Sequence, residues 1–262
     1  MRMSGLGRVL FAIGFAATGA LTIVTRDFAI VWRPVAPWHD APAIVSGILL
    51  FVSALALVFP PTVEAGALAL AGFLFLRELS PQVPGVFAHP LVEASWYSVS
   101  EDLVLLAGAW TIFSLLPPDQ GRLTKYRQAR AGQFLFALAL PAIGLSHMIY
   151  IGQTAPLIPP WLPFHVPLAY FTGVAHIATG AAILFNVLAR LAATLEAVMV
   201  SLFTLLVWVP LVGASPANRF DWSEICVSTA IAGSAWAVAE SFRGRLFATG
   251  AANYRQHRPK DI

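Results

Sequence analysis

Apolar runs of roughly 18 to 22 residues alternate along this chain with short polar or proline-containing breaks. Almost none of the runs keeps the polar stripe that a helix in a soluble domain turns toward water. Each is long enough to cross a hydrocarbon core of about 30 Å. The pattern predicts eight helices, at about 7–25, 43–60, 64–80, 99–117, 132–152, 167–187, 191–213 and 223–243. The expected fold class is an all-α integral membrane protein, with eight transmembrane helices arranged as two parallel four-helix repeats.

The repeat is read from spacing. Trp96 and Trp110 stand fourteen residues apart, and so do Trp222 and Trp236. Leu10-Phe11-Ala12 aligns with Leu135-Phe136-Ala137, Gly19 with Gly144, Ser46-Gly47 with Thr172-Gly173 and Phe59 with Phe185, at a period of about 125 residues. Four helices per repeat would bring both halves into the membrane in the same direction, related by an axis along the membrane normal. The organisation expected is a first repeat at 1–117, a basic cytoplasmic linker at 118–131, a second repeat at 132–245 and a tail at 246–262. The first helix, with Arg2 and Arg8 before it, could be read as a secretory leader. Its counterpart lies in mid-chain and cannot be cleaved off, so the first helix is expected to be retained.

Composition agrees with lipid as the solvent. The chain is 58% hydrophobic and only 11% charged, with a mean hydropathy of +0.75; soluble domains carry about a quarter charged residues. A lone cysteine, Cys226, excludes an internal disulfide and a paired-cysteine redox motif. The pI near 9.4 does not point to nucleic acid, because the basic residues gather at helix ends. Arg2, Arg8, Arg122, Lys125, Arg127, Arg130, Arg190, Arg243, Arg245, Arg255, Arg258 and Lys260 all fall on one face if the span count is even. The excess of Lys and Arg makes that face, with both termini, cytoplasmic.

On the opposite face, two proline-rich stretches carry tryptophan, Val31–Asp40 and Thr154–His165. Proline bars regular helix there and tryptophan favours the lipid–water boundary, so they read as re-entrant or surface-lying caps, or as interfacial anchors alone. Arg77-Glu78 ends the third helix and Glu101-Asp102 begins the fourth. Charges at such depth cost roughly 2.5–3.5 kcal/mol each on insertion scales and should pair or meet water. An ion pair among these four is expected, either as a clamp between helices or as a functional group. Glu196 and Glu240 read as structural groups neutralised by Arg190, Arg243 and Arg245.

His147 and His176 are the sharper candidates. Counting rise along the helices puts His176 about 13 Å and His147 about 8 Å below the ends of their spans, a depth difference of about 5 Å that side chains or a small ligand could bridge. The matching first-half positions are Thr22 and Leu50, so the pair is not duplicated. Tyr170, Tyr150, Phe171, His165 and Trp161 could join it as ligand-binding groups. Two histidines are too few for a zinc centre, which normally takes three protein ligands, so His165 or Glu224 would have to help and no metal site is assigned. A bis-histidine haem suits the count but not the depth mismatch. A quinone needs only one donor to a carbonyl, an aromatic wall and access from lipid, so it is the cofactor favoured.

The stretch Thr154-Ala155-x-Leu157-Ile158-Pro159-Pro160-Trp161-Leu162-Pro163, then Tyr170-x-Thr172-Gly173 and His176-Ile177-Ala178-x-Gly180, resembles the DoxX-like membrane proteins. The likeness is best over 132–187, weak in the first half and absent from linker and tail. It implies four-helix units of bacterial inner membranes, with His176 and the Pro-Pro-Trp cap at signature positions. The family takes its name from a subunit of a thiosulfate:quinone oxidoreductase. This chain departs from it in having eight spans, and without paired cysteines it does not look like the thiol-redox branch of related proteins. The expected function is a redox-associated protein of the bacterial inner membrane, with a redox partner protein, that binds quinone or a small oxidisable species in the outer half of the bundle. The alternatives are a small-solute carrier or a non-catalytic partner subunit.

Overall fold

The computed structural model describes residues 5–28, 40–116 and 122–242, apart from the side chains of 81 and 122–125. Among these residues every regular element is helical: α1 (Leu6–Thr25), α2 (Asp40–Ala56), α3 (Val63–Arg77), α4 (Val83–Ala88), α5 (Glu93–Ser114), α6 (Arg122–Ile149), α7 (Ile151–Thr154), α8 (His165–Leu184), α9 (Ala189–Phe203), α10 (Val209–Ala214) and α11 (Arg219–Ser241). A wide π-turn, Glu78–Gln82, carries α3 into α4, and a second, Thr204–Trp208, carries α9 into α10. Proline stands just after each turn, Pro84 in α4 and Pro210 in α10. Proline lacks an N–H and crowds the carbonyl four residues back, and the wider turn relieves that clash without ending the rod.

Among the described residues, four stretches are long and apolar enough to cross a membrane: Leu6–Thr25, Tyr126–Ile149, His165–Leu184 and Ala189–Ala214. Asp40–Ala56 is a shorter apolar helix. Ile13, Val52, Phe171 and Leu195 stand on outward faces, each more than half exposed. A surface of that kind needs hydrocarbon around it. The charged helices α5 and α11 lie elsewhere. They pack on each other, and both are lined with buried residues along most of their length.

The helices follow one another around a ring. α1 packs on α2, α2 on α3, α3 on α5, α5 on α6, α6 on α8, α8 on α9, α9 on α11, and α11 closes the ring on α1. The contact of α5 with α11 crosses the middle and separates two apolar cores. One is built on Phe11, Phe15, Leu50, Leu70 and Leu105, the other on Phe136, Leu140, Ile183, Ala197 and Val238.

Some local details recur between the two sides. A Cβ on Gly19 would stand 2.6 Å from the Gly47 carbonyl oxygen, and one on Gly144 would stand 2.4 Å from that of Gly173. Only glycine allows α1 and α2, or α6 and α8, to approach so closely. Trp96 Nε1 donates to the Pro90 carbonyl at 3.0 Å, and Trp222 Nε1 to that of Pro216 at 2.9 Å. His89 and Ser215, which end α4 and α10, share nearly the same backbone angles.

Three sequence expectations are corrected. The basic stretch 118–131 is not a plain linker, because α6 begins at Arg122; the stretch Leu123–Arg130 holds neither glycine nor proline and is mostly straight-chain helix formers. The second helix stops at Ala56 rather than residue 60, ahead of Pro60-Pro61, since a residue before proline avoids helical geometry. The fourth helix starts at Glu93 rather than residue 99. Between Ile158 and Phe164 there is no regular helix, and Trp161 and Phe164 are exposed there. The first proline-rich stretch through residue 39, residues 117–121 and the tail 246–262 lie outside the described residues.

Candidate functional site

The close approach of α6 and α8 decides where the histidines stand. Gly144 and Gly173 put the two backbones against each other. His147 and His176 each follow three residues later and so project on nearly the same helix face as their glycine. Their ring centroids are 5.0 Å apart, tilted by 50°. Phe203, the last residue of α9, stands 6.2 Å from each ring.

His147 Nδ1 lies 2.8 Å from the Ile143 carbonyl one turn earlier, so that nitrogen is the donor. His176 Nδ1 meets Glu196 Oε1 at 2.6 Å. Both partners are deeply buried, with 3% of His176 and 2% of Glu196 exposed. His176 Nε2 and Glu196 Oε2 make no hydrogen bond among the described residues. An orphaned buried polar group costs about 1–3 kcal/mol.

Glu196 therefore corrects the sequence reading. It is not neutralised by Arg190, six residues nearer the start of α9, but bonded to an imidazole; Arg243 and Arg245 lie outside the described residues. Depth was the signal that could have found it. His176 lies eight residues before the end of α8 and Glu196 seven residues into α9, so both reach about 10–12 Å from the connection between those helices. Thr172 and Ser146 bond to carbonyls of their own helices, at Ala169 and Ile143, and leave His176 to Glu196.

The other candidates stand apart from the imidazole pair. His165 begins α8, eleven residues or about 16 Å up the axis from His176. Tyr170 is about 9 Å up and, like Phe171 and Trp161, exposed. Tyr150 lies just past α6 and faces Glu93. Glu224 belongs to a different cluster. Among the described residues no group of three or more His, Cys, Asp or Glu could hold a metal ion. Haem does not fit between His147 and His176, since two imidazoles in direct ring contact leave no gap for a macrocycle.

A second polar cluster surrounds the π-turn of the first half. Arg77, the last residue of α3, pairs with Asp102 on α5, and Gln82 Nε2 donates to the same carboxylate oxygen at 3.1 Å. Glu101, also buried, faces Tyr97 on its own helix and Glu224 on α11. Glu78 is 6% exposed, and neither carboxyl oxygen has a hydrogen-bond partner among the described residues. Arg77, Glu78, Glu101 and Asp102 thus share one region, with Asp102 taking the guanidinium.

The two π-turns carry different chemistry at matching places. Phe203 precedes its turn as Arg77 precedes the other. Thr204 and Ser228 share a hydrogen bond of 2.7 Å, while the first side holds Glu78 and Asp102. Near the start of α11, Arg219 donates to Asp27 Oδ2 at 2.7 Å and to the Phe28 carbonyl at 2.6 Å, just past α1. No protein-family model matches the chain, and no curated protein or solved structure matches it.

Proposed function

We propose that this chain is an eight-span protein of the bacterial inner membrane, two parallel DoxX-like repeats with both termini cytoplasmic, and that it binds a quinone beside His176. The equal spacing of the two π-turns, the two glycine contacts and the two Trp–carbonyl bonds supports the repeat. So does the ring, in which each set of four rods packs in the same order. The lipid-facing apolar side chains and the basic residues at one set of helix ends support the membrane and the orientation.

The observation that carries the ligand is the buried His176–Glu196 pair with its free Nε2. When the imidazole is neutral, Glu196 holds the Nδ1 proton and Nε2 accepts a hydrogen bond, as a quinol hydroxyl would offer. When the imidazole is protonated, Glu196 balances its charge and Nε2–H donates to a quinone carbonyl. One dyad thereby serves both redox forms of the same ligand. Phe203 and the His147 ring supply an apolar wall, and His147 is only partly buried, which favours entry past it.

The test is titration of the purified protein in nanodiscs with decylubiquinone, followed by tryptophan quenching. Saturable binding is expected in the wild type, with His176→Ala weakening it at least tenfold, about 1.4 kcal/mol. Equal binding by His176→Ala, or none by the wild type, would remove the quinone reading. A second reading, a small-solute carrier, is favoured by one observation: proline-associated π-turns interrupt corresponding rods of the two halves and flank both polar clusters. Interrupted helices in matching positions often line transport sites. Uptake of a small organic solute into proteoliposomes, retained in His176→Ala, would favour that reading over the first.

A further inference from the structure

We propose that the polar cluster at the π-turn of α3 is a proton-binding site, in which Glu78, Glu101, Asp102 and Glu224 hold protons between them around the fixed charge of Arg77. Glu78 carries the argument. It is more than nine-tenths buried, its neighbours are Asp102 and Arg77, and both of its oxygens are without a donor among the described residues. Asp102, 1% exposed, leaves Oδ1 in the same condition although its other oxygen takes Arg77 and Gln82. Two neighbouring carboxyls with orphaned acceptors lack a hydrogen to share. A proton on either one supplies the missing donor.

Charge counting leads to the same place. Glu101 faces Asp102, Glu224 and Arg77, and Glu224 has Asp221 beside it on α11. One guanidinium cannot balance four ionised carboxylates in an apolar interior, where an unpaired charge is costly and adjacent carboxylates cannot all ionise together. Protons therefore reside there, and their number changes as the surrounding charge changes.

A path to the cluster runs along α5. Glu93, Tyr97 and Glu101 recur every four residues and so lie on one stripe, spanning about 12 Å of axis. Tyr97 hydrogen-bonds Glu101 and also senses Glu93 and Glu224. Glu93, in the first turn of α5, is half-buried as a residue, yet both of its carboxyl oxygens are closed to solvent and have no hydrogen-bond partner among the described residues, with Tyr150 facing them. The stripe gives a proton a hydroxyl and two carboxyls on which to step along α5 toward Asp102.

This site is independent of the quinone reading, and the experiment separates the two. Infrared difference spectra of the full-length protein in nanodiscs, recorded between about pH 5 and pH 9, report protonated carboxyl groups through their C=O stretch and its shift in heavy water. The wild type is expected to show such a band whose intensity changes with pH. Glu78→Gln and Glu101→Gln should each remove about a quarter of that change, as one member of a shared set of four is lost, while His176→Ala leaves it intact. A wild type without the band would overturn the proposal, as would a band unaltered in both glutamine variants. If Glu78→Gln fails to fold, Glu101→Gln and Glu224→Gln are read in its place.

Discussion

The hydrogen bond between His176 and Glu196 joins two groups that cannot be removed singly without leaving the other stranded. In Glu196→Ala, His176 Nδ1 loses its partner at a position 97% removed from solvent, and in His176→Ala the Glu196 carboxyl loses its own. Each orphan costs about 1–3 kcal/mol, and bonds to charged groups lie toward the upper end. Removing both partners leaves no orphan, so the double variant should cost less than the sum of the singles. The expected coupling energy is about 1.5–3 kcal/mol. The cycle is measured by equilibrium unfolding in mixed detergent micelles, followed by circular dichroism. Glu196→Gln, which keeps an acceptor for Nδ1–H, should lose less than Glu196→Ala. Additivity within about 0.5 kcal/mol would mean that the two groups do not bear on each other, and the reasoning about the site would fail with it.

Packing at the same place gives a second expectation. Gly144→Ala, whose new methyl would meet the Gly173 carbonyl at 2.4 Å, should cost about 1–3 kcal/mol and part the two imidazoles, whereas Gly72→Ala, with nothing within 4 Å, should be tolerated; the same unfolding assay compares them. Removing only one side of the Arg77–Asp102 pair, in Arg77→Ala, strands a buried charge and should cost about 3–5 kcal/mol, read as loss of monodisperse protein, with Arg77→Met/Asp102→Leu recovering most of it. The orientation is checked by labelling in a Cys226→Ser background. A cysteine introduced at Asn218 should react with an impermeant maleimide from outside the cell, and one at Asn186, on the opposite end of the bundle, only after permeabilisation. Labelling of both from one side would contradict a crossing by Ala189–Ala214, which lies between them.

Hydrophobic pattern alone determined that this chain is helical and built for lipid, because uninterrupted apolar runs of spanning length leave the backbone no other way to satisfy its N–H and C=O groups. It placed the breaks only roughly, running the second helix on to residue 60 where it ends at Ala56, and starting α5 at 99 and α6 at 132 where they begin at Glu93 and Arg122. Counting rise per residue put His147 and His176 about 5 Å apart in depth, near enough for side chains to meet, and needed no knowledge of neighbours; the rings stand 5.0 Å apart. What only tertiary structure decided is which helix faces meet. Nothing in the order of residues says that Gly144 and Gly173 touch, that α11 closes a ring on α1, or that the carboxyl completing the imidazole pair comes from Glu196 on the next rod. Glu196 read as a structural group neutralised by Arg190 because that residue stood close in sequence, yet proximity along a helix is not proximity across a bundle. The π-turns were equally hidden, as their cause is a clash between a proline and a carbonyl four residues away that has several local remedies. Linear pattern sets each helix's solvent and length, while the pairing of faces depends on side-chain shape summed over all the packed helices at once.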